Sequence, residues 1–372
     1  MKYYLVAGER SGDLHAANLV KAIRKLNPDS SFRGFGGDYM RDAGVDIAVH
    51  YAELAFMGFA EVVSNLNKIS GFIKQCKEDI LSNHPDVVIL VDYGGFNTRI
   101  AKFAKQKNFR VFYYITPKVW AWYQKRALGL KKNVDRMFVI LPFEKAFYKK
   151  FDWDVDYVGN PVLDAIKEHQ ADKDFISKHH FRENATIVAL LPGSRKQELL
   201  NIIPLMEEIA RRFDAFDFGV AVVGNLDRSL YKTLESLPNV RLVQDQTYDL
   251  LMNSRAAIVT SGTATLETAL LKVPQVVVYK TSRISYQIAK SFIRVRYISL
   301  VNLIADRTVI KEFIQRDANP DKLTRELVDL VSDQEYRKRI LNDYDEIYGI
   351  LDVGSASANA AKLMTKYLDN GV

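Results

Sequence analysis

A single cysteine, Cys76, leaves no partner for an intramolecular bridge, so a small disulfide-stapled scaffold is excluded. With no metal-like cluster of neighbours, the lone thiol implies a reducing compartment or an inert core position. Long apolar runs are lacking too: nothing approaches the roughly 18 to 20 residues needed to cross a bilayer. The first residues lead straight into a strand, so no signal peptide is expected. Histidine is scarce, with six in the chain, and only His179 and His180 adjoin. They lie in a polar connecting stretch with no Cys near them, and no metal site is expected. No cofactor is expected. Acidic residues are missing from long stretches. From Arg99 to Arg136 there are eleven Lys or Arg and one acid, Asp135, and none lies between Glu267 and Asp306. Basic patches of this kind suit phosphates, nucleic acid or an anionic membrane face.

What is present is enough for large cores. At 372 residues, 48% hydrophobic and 26% charged, the chain is globular and long enough for two domains of roughly 150 to 200 residues. Short β-rich runs alternate with helix-like stretches, the pattern of parallel sheets covered on both faces. Candidate strands are Tyr3–Ala7, Ser31–Gly34, Val87–Val91, Val111–Ile115 and Met137–Leu141. A second set lies at Ile187–Leu191, Phe218–Val223, Val240–Val243, Ala257–Thr260 and Gln275–Tyr279. The fold class is therefore α/β, two Rossmann-like doubly wound domains with a helical C-terminal tail. Expected bounds are residues 1–165 and 184–345, with 346–372 as a helix packing back on the first domain; the resemblance given below implies the acceptor and membrane side for the first and a UDP-sugar for the second. The ligand site is expected in the cleft between the two.

Several strand ends carry chemistry. Ala7-Gly8-Glu9-Arg10-Ser11-Gly12-Asp13 precedes a helix expected over Leu14–Lys25, with Ser11 or Asp13 as its cap and an anion cradle at its start. Asp92 ends the continuous apolar strand Val87–Val91. A partly desolvated carboxylate there has a raised pKa and can accept a proton from a hydroxyl, unless it only caps the following helix. Trp120 and Trp122 are placed to wall a sugar or acyl pocket, and Lys125 and Arg126 to hold an acceptor phosphate. In the second half, Gly193 and Ser194 can offer backbone N–H groups while Arg195 supplies a fork for phosphate oxygens. Ser261, Gly262 and Thr263 form a second cradle, and Glu267 can accept from ribose hydroxyls. Together they read as a nucleotide-diphosphate site. Two stretches have a lipid-facing pattern at helical spacing: a basic amphipathic run, Arg283–Val295, and Phe56–Val63 continuing to Leu66 and Ile69.

The ordered set of motifs resembles the lipid-A-disaccharide synthases, inverting two-domain GT-B glycosyltransferases. The resemblance runs from about Leu5 to at least Phe313. It rests on the Ala7–Asp13 loop, Met57–Val62, Asp92 with Phe96-Asn97, Val119–Trp122, Leu141–Lys145, Leu191–Arg195, Ser261–Glu267 and Tyr297–Asn302. It implies transfer of 2,3-diacylglucosamine from UDP-2,3-diacylglucosamine to 2,3-diacylglucosamine 1-phosphate, giving a β-1,6 disaccharide 1-phosphate and UDP, without metal. The family's essential aspartate, arginine and asparagine fall on Asp92, Arg195 and Asn302, the last expected to orient nucleotide or donor sugar. Glu9, Ser11, Met57, Phe59, Val62, Val63, Leu66, Trp120, Trp122 and Arg126 are the candidates for acceptor and lipid. The implied location is cytoplasmic, on the inner face of the inner membrane, with surface lipids as partners, a homodimer as the candidate assembly and no nucleic acid. Val301 and Tyr93-Gly94-Gly95 depart from the Pro-containing versions of many relatives, changes that bear on loop stiffness more than chemistry. The rivals are another UDP-sugar GT-B enzyme, an epimerase or a peptidoglycan-precursor glycosyltransferase, and a non-catalytic anionic-lipid-binding protein.

Overall fold

A computed structural model describes residues 1–54, 66–224, 226–282, 286–287 and 295–371. The chain divides into two compact units, Met1–Pro161 with Asp352–Val372, and Val162–Leu351.

The first unit is built on seven strands: β1 Lys2–Ala7, β2 Ser31–Gly36, β3 Asp46–His50, β4 Val87–Val91, β5 Arg110–Tyr114, β6 Arg136–Val139 and β7 Asp156–Tyr157. All neighbours pair parallel, in the order β3-β2-β1-β4-β5-β6-β7. Every residue of β4 is fully buried, which is why the run reads as unbroken Val, Ile and Leu. The order reverses between β1 and β4, and Ala7 pairs with Val91, so the residues leaving both strands emerge side by side. In parallel sheets this switch point is where ligands bind.

Helix α1, Arg10–Leu26, returns along one face of this sheet. Its Ala16, Ala17, Leu19, Val20 and Ile23 share a core with Ala360, Ala361, Met364 and Leu368 of the last helix, Ala356–Asp369. Ser355 caps that helix by accepting from the Ala358 N–H. The thiol of Cys76 is buried and burial pushes its pKa up, as an inert core position requires.

The second unit repeats the plan with β8 Thr186–Leu191, β9 Phe216–Val222, β10 Val240–Gln244, β11 Ala256–Thr260, β12 Gln275–Tyr279 and β13 Glu312–Ile314. Its order, β10-β9-β8-β11-β12-β13, is again all parallel and reverses between β8 and β11. Leu191 pairs with Val259, so the loops opening at Pro192 and Ser261 leave the sheet together. The chain from Pro320 onward is helical through Pro320–Ser332, Gln334–Leu351 and Ala356–Asp369.

Candidate functional site

Asp92 leaves β4 at the first switch point with its main chain held from several sides. Its N–H donates to the Tyr114 and Ile115 carbonyls at 3.2 and 3.1 Å. Its carbonyl accepts from the Tyr113 hydroxyl at 2.7 Å and from Asn97 Nδ2 at 2.8 Å. These contacts fix Asp92 and Tyr93 in the left-handed region, with φ of 47° and 48°. Each such residue costs on the order of 1–3 kcal/mol and persists only where the surroundings over-determine it. The helix Gly94–Gln106 opens after Tyr93 without a side-chain cap, so Asp92 does not cap it. Burial, then the negative charge of Glu9, pushes the Asp92 carboxyl up to about 6, against smaller opposite pulls from Lys118 and the Tyr93 N–H. A carboxylate so tuned suits a proton acceptor near neutral pH.

Glu9 ends the β1 loop exposed and is the N-cap residue of α1. Gly8 before it lies against the Tyr93 ring, where an added Cβ would stand 2.3 Å from Cδ1. The helix begins at Arg10, four residues earlier than the pattern suggests, which overturns the expected capping. Ser11 is exposed within the first turn, and Asp13 is buried and serves a different helix. Its carboxylate accepts from the N–H groups of Gly37, Tyr39 and Met40 at 2.7, 3.0 and 3.2 Å, closing the start of α2, Asp38–Asp42.

The two tryptophans separate. Trp120 is 5% exposed and donates through Nε1 to Glu144, whereas Trp122 is 54% exposed. Trp120 therefore anchors the loop more than it walls an open pocket. Glu144, 2% exposed, accepts from Thr116 Oγ1 at 2.8 Å, Trp120 Nε1 at 3.2 Å, and the Ile140 and Leu141 N–H groups at 3.2 and 2.9 Å. Burial outweighs these bonds and pushes its carboxyl up to about 7. Its role was missed in the sequence, where the available signal is a helix start with Pro142 at the first helical position and a glutamate in the first turn. Arg126 is exposed, its guanidinium 5.7 Å from the Tyr123 ring centroid.

At the second switch point the loop after β8 is folded over a carboxylate of its own. The Ser194 and Arg195 N–H groups donate to Glu198 Oε2 at 3.0 and 3.2 Å, closing the start of the helix Lys196–Arg211. Ser194 thus does not offer the free N–H that the sequence suggests. Gly193 turns at φ +112°, where an added Cβ would meet that same carboxylate at 2.4 Å. The Arg195 side chain stays 80% exposed with one long contact, 3.3 Å to Glu198 Oε1. After β11, Ser261 donates through Oγ to the Ile298 carbonyl at 2.8 Å. Gly262 meets open space where a Cβ would lie, and exposed Thr263 precedes the helix Ala264–Leu270. Glu267 is partly buried, its carboxyl pushed up by desolvation and accepting from the Tyr248 hydroxyl at 3.1 Å.

Asn302 differs most from expectation. It is 0% exposed, and both ends of its amide are used inside the chain. Oδ1 accepts from the Val309 and Ile310 N–H groups at 2.8 and 3.1 Å, while Nδ2 donates to the Ile310 carbonyl and to Glu312 Oε1, both at 2.9 Å. Glu312 also accepts from the Ile298 N–H and from the N–H and Oγ of Ser299, at 3.0, 2.9 and 2.7 Å. Asn302, in the short helix Leu300–Ala305, is thus engaged inside the chain, and through Glu312 it holds Ile298 and Ser299, where the Ile298 carbonyl accepts from Ser261. No sequence signal marks Glu312, which sits on a three-residue edge strand.

Met57, Phe59, Val62 and Val63 lie outside the described residues, as does most of the 283–295 stretch; Leu66 opens the helix Leu66–Asn83. Among the described residues no group of three His, Cys, Asp or Glu is placed to hold a metal ion, and no helix is long and apolar enough to cross a membrane.

Comparison with known proteins agrees with the double switch-point architecture. Solved structures of the same fold include a UDP-GlcNAc 2-epimerase from Neisseria meningitidis bound to UDP-GlcNAc, at a TM-score of 0.67 and 15% identity over 100% of both chains. A calicheamicin glycosyltransferase superposes with a TM-score of 0.65 and 16% identity, covering 100% of this chain and 99% of that one. Sequence relatives are much nearer. The lipid-A-disaccharide synthase of Syntrophus aciditrophicus is 40% identical over 96% of this chain and 95% of its own. That of Nitrosococcus oceani is 37% identical over 98% and 96%. The family model for lipid-A-disaccharide synthetase matches residues 3–363, and the chain belongs to this family of GT-B glycosyltransferases.

Proposed function

We propose that the chain transfers 2,3-diacylglucosamine from UDP-2,3-diacylglucosamine to the 6-hydroxyl of 2,3-diacylglucosamine 1-phosphate, releasing UDP and a β-1,6 disaccharide 1-phosphate. The observation that carries the reading is Asp92, a strained, partly desolvated carboxyl at the switch point of the first unit. In the proposed step the acceptor hydroxyl attacks the anomeric carbon as Asp92 takes its proton, and the bond to the UDP oxygen breaks. Attack on the face opposite the leaving group inverts the anomeric centre.

Acceptor binding is assigned to the first unit, with Glu9 and Ser11 at the β1 loop and Trp122 and Arg126 beyond β5. Met57, Phe59, Val62, Val63 and Leu66 are assigned to the acyl chains or lipid. Donor binding is assigned to the second unit. Arg195 carries an exposed guanidinium suited to a diphosphate, the open turn Ser261–Gly262–Thr263 admits close approach of a phosphate, and Glu267 faces the ribose. Asn302 and Glu312 hold the loop that supports Ser261. Both proposed substrates are lipids, and the place of work that the family resemblance implies is the cytoplasmic face of the inner membrane.

The test is incubation of the purified chain with both substrates in detergent, without added metal, and mass spectrometry of the products. Equal amounts of disaccharide 1-phosphate and UDP from the parent, and near-complete loss with Asp92→Asn, are expected. Absence of the disaccharide from the parent under every lipid presentation would overturn the assignment. So would turnover of UDP-N-acetylglucosamine in its place.

A further inference from the structure

Just beyond β5 of the first unit the backbone is strained next to Asp92. Ile115, a β-branched residue, sits in the left-handed region at φ 62°, a conformation that persists only where the surroundings over-determine it. Its N–H donates to the Phe138 carbonyl and its carbonyl accepts from the Asp92 N–H, both at 3.1 Å. The residues that follow hang on Glu144, buried on the helix Pro142–Lys149. One of its carboxylate oxygens accepts from Thr116 Oγ1 and Trp120 Nε1, the two ends of the next loop, while the other accepts from the Ile140 and Leu141 N–H groups beyond β6. Between the two clamped ends, Pro117 packs where a Cβ on Gly94 would come within 2.9 Å, and the charge of exposed Lys118 reaches the Asp92 carboxyl. No acid occurs between Asp92 and Asp135, so none in this loop competes for that lysine.

We propose that Glu144 is a positioning residue for the transfer reaction: through Thr116 and Trp120 it sets the Ile115 turn that seats Asp92 and keeps Lys118 beside the Asp92 carboxylate. The inference rests on the reading of Asp92 as the base. A buried carboxylate suits this work because it can accept from four donors at once, and here they come from two separate strand ends. The lysine held in this way favours the ionised, proton-accepting form of Asp92, which burial and Glu9 oppose. Glu9, from the β1 loop, and Lys118 are the charged groups acting on Asp92, and the buried Tyr113 hydroxyl that donates to its carbonyl stays neutral. Glu144 itself faces Tyr148 on its own helix and Tyr157 on β7, both kept neutral by burial. Loss of the Glu144 charge, acting directly, could only ease ionisation of Asp92, whereas displacement of Lys118 makes it harder. The two effects have opposite signs, so the direction of the change separates a positioning role from a direct electrostatic one.

The test is the pH profile of kcat/KM for the acceptor from pH 5 to 9 with the full chain, and kcat at pH 8.5, above both carboxyls. Lys118→Gln should move the midpoint of the parent profile, at about 6, upward by about half a pH unit. Glu144→Gln should move it in the same direction and lower kcat about tenfold to a hundredfold, with the KM for the donor within about twofold of the parent's. The double variant should match Glu144→Gln alone, since the lysine is already displaced. Thr116→Val and Trp120→Phe each remove one donor, the latter keeping a ring against Phe143, so they carry the same upward shift at smaller size should Glu144→Gln fail to fold. A downward shift in Glu144→Gln would overturn the inference, as would shifts that add in the double variant. A parent profile with no break removes the base reading and this inference with it; a parent break that none of the Glu144, Thr116 and Trp120 variants moves removes this inference alone.

Discussion

Replacing Asp92 should change the pH profile and the stability of the enzyme in opposite senses. With the carboxyl at about 6, kcat/KM for the acceptor should follow its ionised form. Above that value nearly all molecules hold a carboxylate ready to accept a proton. At pH 5 only about one in ten does, so the rate should fall about tenfold between pH 7.5 and 5. An ordinary aspartate would lose only about a tenth of its activity over that range. Folding responds the other way. Between the usual carboxylate range and about 6 the folded chain keeps a proton that the unfolded chain has released, so stability is lost as pH rises through that window. A rise from 3.8 to about 6 sets a ceiling of roughly 3 kcal/mol on the resulting cost at neutral pH, before screening at this partly exposed site. Asp92→Asn removes the charge, and Asn tolerates the left-handed backbone. It should therefore raise the melting temperature of the first unit by about 2–6 °C at pH 7.5 while lowering kcat about 10²–10⁴-fold. Initial rates from pH 5 to 8 at subsaturating acceptor, together with calorimetry, measure both. A flat profile down to pH 5, or an Asn variant that is both inactive and less stable, would refute the base assignment and its cause.

Other substitutions test the supports of the two sites. Glu144→Gln sets an amide N–H₂ group against donors and should cost about 1–3 kcal/mol, read by thermal unfolding of the first unit, with a change in Trp120 fluorescence. Asn302→Ala leaves the Val309 and Ile310 N–H groups without their acceptor and should cost about 2–4 kcal/mol. An unchanged unfolding profile with lost activity would instead mean that Asn302 touches the donor. Gly8→Ala must displace the Tyr93 ring and with it Asp92, so kcat should fall about a hundredfold in steady-state assays while the chain remains folded.

Both sheets were legible because their central strands are buried on two faces, which forces continuous apolar runs such as Val87–Val91 and Ile187–Leu191. The strands that escaped notice, Asp46–His50, Asp156–Tyr157 and Glu312–Ile314, are short, partly exposed edge strands of mixed polarity with no such run. Asp92 was readable as the first polar residue after a buried strand. Asn302 was visible only as a family position, because its internal hydrogen bonds depend on Val309, Ile310 and Glu312 from beyond its own helix. Asp13 misled for a related reason: an acid near a helix start suggests a local cap, but the Gly37 turn brings a different helix terminus onto it. Local sequence does not encode that tertiary choice.

The proposed division of labour between the units is open to one direct measurement: the affinity for UDP, by titration calorimetry, of the parent, Asp92→Asn and Arg195→Ala. Loss of a charge-assisted contact at the diphosphate should weaken the Arg195 variant by about 10-fold or more, while the Asp92 variant binds UDP as the parent does. The reverse pattern, with Asp92→Asn weakened and Arg195→Ala unchanged, would place the nucleotide in the first unit and contradict the account.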